Sequence, residues 1–188
     1  MKTQLDIMKL IAQGEIHNEL DFERALIADR KLRVLSKKDS KFKAIRIKLR
    51  NLIEVYEKQH WSAASPIDES QLLESDLAEA LAEKERQFIA RRKGLIKIKL
   101  KQLALSQQDF GKILGHHTKS YISELMNGVR PFSLKDLIVI NRLLQIDLTD
   151  LVPTFLPQTE RIKIRTSVEK LQHPKLYLSS DDFALCSL

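Results

Sequence analysis

Residues 106–128, SQQDFGKILGHHTKSYISELMNG, limit the possible folds more than any other stretch of this chain. Ser106, with Asp109 three residues on, is a capping-box pattern and opens a short helix over 107–114. Phe110, Ile113 and Leu114 fall on its inward face. Gly115 stands where such a helix ends in a left-handed residue. Thr118 caps a second helix over 119–126, which turns Ile122 and Leu125 inward. Gly111 lies in the middle of the first helix and costs roughly 1 kcal/mol there against Ala. That cost is offset if the backbone of another helix presses against it. Two short helices crossing steeply at a small residue make a helix-turn-helix. Its expected packing set is Phe110, Gly111, Leu114, Gly115, Ile122 and Leu125. Ser133 with Asp136 repeats the capping box and starts a third helix, LKDLIVINRLL, and IDLTDLV closes the bundle.

Upstream, residues 19–36 carry Phe22, Ala25, Leu26, Leu32 and Leu35 on one stripe, with Asn18 as cap. Residues 41–59 carry Phe42, Ile45, Leu49, Leu52, Ile53 and Tyr56 on another. The short KKDS link predicts an antiparallel hairpin, its end closed by Tyr56 and Trp61. Its outward faces are rich in Lys and Arg, which suit phosphate contacts but more commonly form a solvated face. HWSAASPIDESQ reads as a linker, with Pro66 biasing Ser65 away from helix. Residues 69–104 follow as one long helix, or as two halves meeting near Gly94. This region is acidic in its first half and basic in its second. The division suits the helix dipole; it equally suits a basic partner, or the basic hairpin, for the acidic half. In the tail, QTERIKIRTSVEKL is a helix that Pro174 ends, and KLYLS has an extended pattern.

The chain therefore reads as all-α. An N-terminal helical hairpin region spans 1–61, a linker and acidic helix 62–85, a helix-turn-helix DNA-binding domain 86–156, and a C-terminal extension 157–188. A net charge of +7 over 188 residues fits a polyanionic partner. The single cysteine, Cys186, allows no disulfide within the chain, so a reducing cytoplasm is the expected setting. Neither a signal-peptide pattern nor a membrane-length apolar run is present, and no membrane contact is expected. His116 and His117 read as turn residues, because no ligand cluster stands near them in sequence; neither a metal nor a cofactor is expected. Phosphate loops, nucleophile elbows and paired catalytic acids are missing from the sequence, which argues against an enzyme.

Through LSQQDFGKILG, SYISELMNG and FSLKDLIVINRLLQIDLTDL, residues 95–152 resemble the Cro and lambda-repressor-like helix-turn-helix family, also called the xenobiotic-response-element family. The turn GHHTKS is one residue longer than is usual there. The resemblance implies a five-helix domain whose second motif helix enters the major groove, commonly as a dimer on operator DNA. With Ile122 and Leu125 facing the core, Lys119, Ser120, Ser123 and Glu124 are expected outward, Tyr121 at the edge, as base-side candidates. Gln107 matches a phosphate-clamping position, Arg130 another backbone contact, with Asn127 beside it. Between 106 and 152 five acids balance five bases. The positive field is therefore expected from Arg91, Arg92, Lys93, Lys97, Lys99 and Lys101. More weakly, the upstream LIEVYEKQHW and the linker resemble the HigA group of antitoxins. That resemblance implies an autorepressor that neutralises a HigB-type ribonuclease toxin, a basic protein gripped by the acidic stretch 68–85 or by the hairpin. A stand-alone repressor is the alternative, and an interaction scaffold that has lost DNA binding a third reading.

Overall fold

The computed structural model describes residues 4–61, 68–173 and 176. Linker residues 62–67, Pro174, the KLYLS stretch apart from Leu176, and Cys186 lie outside them. The described residues form nine helices and no strand: α1 (Ile7–Gln13), α2 (Glu19–Leu35), α3 (Lys41–His60), α4 (Glu69–Gln102), α5 (Gln107–Leu114), α6 (Lys119–Met126), α7 (Leu134–Leu144), α8 (Leu148–Leu151) and α9 (Gln158–Leu171). The chain divides into two compact units, residues 1–153 and 154–188. In the second, α9 buries none of its residues and is laced along its own surface by Lys163–Glu160 and Arg165–Glu169 pairs.

Within the first unit, α2 and α3 pack as a hairpin, with α1 against α3 and α4 along α2. Both stripes read from the sequence turn inward: Phe22, Ala25, Leu32, Phe42, Ile45, Leu49, Ile53 and Tyr56 are buried. Tyr56 stacks on Phe22 with ring centres 4.7 Å apart, and Trp61 packs on the same cluster. The sequence reading missed α1. Its signals are short but present: the Asp6 carboxylate accepts from the Met8 and Lys9 amides, and Gly14 ends the helix at φ +81°.

Of the two readings of residues 69–104, a single helix is the one realised. Its buried positions recur as Ala78, Ala82, Glu85, Arg92, Ile96 and Leu100, a helical stripe that includes two charges. Glu85 is held by Arg24 of α2, whose Nε donates to Oε2 at 2.7 Å and whose Nη2 donates to Oε1. The acidic half of α4 is thus joined to the basic hairpin at this pair. Further along, Ile96 and Leu100 join Phe110, Leu114, Ile122, Leu125, Leu137, Ile140 and Leu151 in a second apolar cluster around α5–α8. No described helix is long and apolar enough to cross a membrane.

Candidate nucleic-acid interface

The turn between α5 and α6 is set by local chemistry. Ser106 and Asp109 form the reciprocal cap at the start of α5, and the Ser106 bonds hold the Asp109 carboxyl below the ordinary carboxylate range. Gly115 closes α5 at φ +82°, a conformation that side chains oppose. Thr118 caps α6 by accepting from the Tyr121 amide at 3.3 Å. The turn is fastened to the next helices: His116 Nε2 lies 3.0 Å from Asp136 Oδ1 at the start of α7, and its ring centre is 4.8 Å from that of Tyr121. Among the described residues no His, Cys, Asp or Glu group could hold a metal ion.

Gly111 is buried, and a β-carbon added there would stand 2.6 Å from Ile122 Cγ1 and 3.0 Å from the His116 carbonyl oxygen. The expected close approach is present, but its agents differ. A branched side chain of α6 and a carbonyl of the turn occupy the space, rather than the backbone of a second helix. Phe110, Leu114, Ile122 and Leu125 are buried as expected, whereas Gly115 is exposed and acts through its backbone angle. Ile113 corrects the reading: it is 45% exposed, because α5 turns only its 110–114 edge to the core.

On α6, Lys119 is exposed, and Ser120, Tyr121 and Ser123 are half-buried. Glu124, expected outward, is 1% exposed. Its carboxylate accepts from Arg130 Nε at 2.7 Å and from Lys41 Nζ at 2.9 Å. The α2–α3 corner lies over this side of α6, and two cations make the burial tolerable. Asn127 is likewise buried: its amide nitrogen donates to the Ser123 carbonyl at 2.7 Å, and its oxygen accepts from Lys93 Nζ at 2.6 Å. As side chains, neither Glu124 nor Asn127 is presented to solvent. Arg130, half-buried, stands over the Tyr121 ring at 5.4 Å as well as on Glu124. Gln107 is exposed at the start of α5.

The basic run of α4 divides in the structure. Arg92, expected to face phosphate, is 2% exposed. It donates to the Leu151 carbonyl at 3.0 Å and to Gln4 Oε1 at 2.8 Å, between the rings of Phe88 and Phe132. Burial without a carboxylate pushes its pKa down to about 10. Arg92 ties α4 to α8 and to the N-terminus. Arg91 is mostly exposed but pairs with Asp150 at 2.9 Å. Lys93 is half-buried; burial, then the charges of Lys97 and Lys38, lower its pKa. Lys97 and Lys101 are exposed and Lys99 is half-buried.

The sequence reading did not anticipate Lys41. Its ammonium donates to Ser120 Oγ at 3.0 Å as well as to Glu124, so a hairpin residue borders a base-side candidate on α6. The KKDSK corner is conspicuously basic, but nothing in a sequence pairs it with a helix about eighty residues away.

Residues 96–151 match the family model described as Helix-turn-helix, so this segment carries a helix-turn-helix domain. No curated protein and no solved structure matches the chain.

Proposed function

We propose that this protein is a sequence-specific DNA-binding transcription regulator that reads the major groove with the first turns of α6. The observation that carries the reading is the pairing of a fixed crossing with an open tip. Ile122 packs into the space left by Gly111, and Lys119 stands exposed at the start of the helix so held. Lys119, Ser120, Tyr121 and Ser123 are the base-side residues. Gln107 and Lys97 are the phosphate contacts. Arg130 adds charge at the far end of α6 but also neutralises Glu124, so Arg130→Ala changes folding along with binding. Lys119→Ala is the cleaner test. It is expected to weaken binding to a duplex from the region upstream of the protein's own coding sequence about tenfold. Retained affinity in Lys119→Ala, or no binding by the unaltered protein at low salt, overturns the reading. The motif works commonly as a dimer on half-sites about one helical turn apart, and a homodimer is part of the proposal.

The finer reading is an antitoxin of the HigA kind that represses its own operon and neutralises a basic ribonuclease. It is supported by the exposed acidic end of α4, where Glu69, Glu74, Asp76 and Glu79 surround the exposed Leu72 and Leu73. Such a surface attracts and orients a basic protein. Co-expression with the adjacent reading frame tests it: a co-purifying complex and relief of growth arrest are expected. If neither occurs, the stand-alone repressor is the reading that stands.

A further inference from the structure

The helix-turn-helix is an electrically neutral reader, since five acids and five bases divide residues 106–152. The neighbouring corner is not: residues 37–50 hold seven Lys or Arg and one Asp. That Asp, Asp39, spends one oxygen on the Lys41 amide. The structure brings this corner to one flank of α6. Lys41 bonds Ser120, and Lys93 reaches Ser123 through Asn127. Thus one lysine from outside the motif contacts the half-buried Ser120, and a second is linked to the half-buried Ser123 by way of Asn127. Beyond them, Lys38 and Lys97 lie close enough to Lys93 for both to depress its charged form. Lys37, Lys38 and Lys97 are exposed and make no ion pair among the described residues.

We infer that the α2–α3 corner is a second DNA-contacting element, with Lys37, Lys38 and Lys41 gripping phosphates beside the groove that α6 enters. This rests on α6 being the groove-reading helix. Glu124 is then a positioning residue: its buried carboxylate holds Lys41 against Ser120, and its own charge is already met by Arg130. A neutral motif gains the field it needs from a hairpin that carries no base-reading side chain. Each phosphate neutralised adds to the salt dependence of binding by about 0.9 in slope, independently of sequence.

The test uses the full-length protein and two 30-base-pair duplexes, one from its own upstream region and one a scramble of it. Lys37→Gln with Lys38→Gln is compared with a control that removes equal charge elsewhere, Lys58→Gln with Lys84→Gln, both on exposed surface. Melting temperatures of both variants should match the parent. The corner variant is expected to lose about tenfold in affinity for both duplexes alike, with its log–log salt slope shallower by about one to two. The control is expected to keep the parental slope. Parental binding in the corner variant, an equal loss in the control, or tighter binding by the corner variant would each overturn the inference. If in those cases Lys119→Ala still weakens binding, the reading of α6 stands alone. If the unaltered protein binds neither duplex at low salt, both readings fall together.

Discussion

The helix-turn-helix and the hairpin that precedes it are built to different tolerances. In the motif, one added methyl at Gly111 already collides with Ile122 and a backbone carbonyl, and two reciprocal caps fix where α5 and α7 begin. The hairpin has no reciprocal cap: Asn18 accepts from the Asp21 amide at the start of α2, the Ser40 side chain makes no cap on α3, and the α3 stripe is ordinary amphipathic packing. Charge is distributed the other way, balanced in the motif and strongly basic at the hairpin corner. Shape is concentrated in one region and field in the other. The joint between them is where the two must cooperate: Lys41 meets Glu124 there, and Lys31 of α2 lines a cavity with Asn127, Gly128 and Val129.

Four substitutions sharpen or break that contrast, and equilibrium denaturation reads each. Gly111→Leu should be the most damaging, about 3 kcal/mol, because a crowded site cannot relax against a branched neighbour and a carbonyl. A loss below about 1 kcal/mol would mean the motif is as loosely fitted as the hairpin. Glu124→Ala should cost about 2 kcal/mol, since it strands Arg130 and Lys41, two cations that keep partial access to water. Little change there would mean that the joint is not formed.

Lys31 gives the pH test. Burial first, then the charges of Lys93, Arg86 and Arg92, lower its pKa from 10.5 to about 8. Below pH 8 both folded and unfolded chains carry this proton, and the fold bears the cost of a half-buried ammonium. Above pH 8 the folded chain releases it while the unfolded chain keeps it up to its higher pKa, so stability rises with pH across that window. Lys31→Met should gain about 1–2 kcal/mol at pH 7 and flatten that rise relative to the parent. An unchanged profile would place Lys31 in water. The smallest effect belongs to Gly94, which sits inside α4 with nothing within 4 Å of an added β-carbon. Gly94→Ala should stabilise by roughly 0.5–1 kcal/mol, the opposite sign to Gly111. The same residue type at mid-helix then separates by sign according to what stands opposite it.

Legibility in the sequence followed the range of the interaction. Helices α2 to α7 and α9 were readable because periodicity and caps are written within a few residues, and Gly111 announced a close contact through its local cost. Ile122 as its neighbour was less obvious, since a glycine reports only that space is scarce. Arg92 was misjudged as surface charge although it sits four residues before Ile96 on the buried stripe; its apolar neighbours at that spacing were the available clue. Glu124 and Asn127 were misjudged for a different reason. Their burial comes from the α2–α3 corner and from α4, and contacts at that sequence separation leave no periodic trace. α1 escaped because seven residues give barely two turns of pattern.

The 34 residues of α4 run unbroken from the acidic end to the motif, about 51 Å at the rise of an α-helix. Because that one helix lies along α2 and also sends Ile96 and Leu100 into the core around α5–α8, the hairpin and the helix-turn-helix share a single continuous wall.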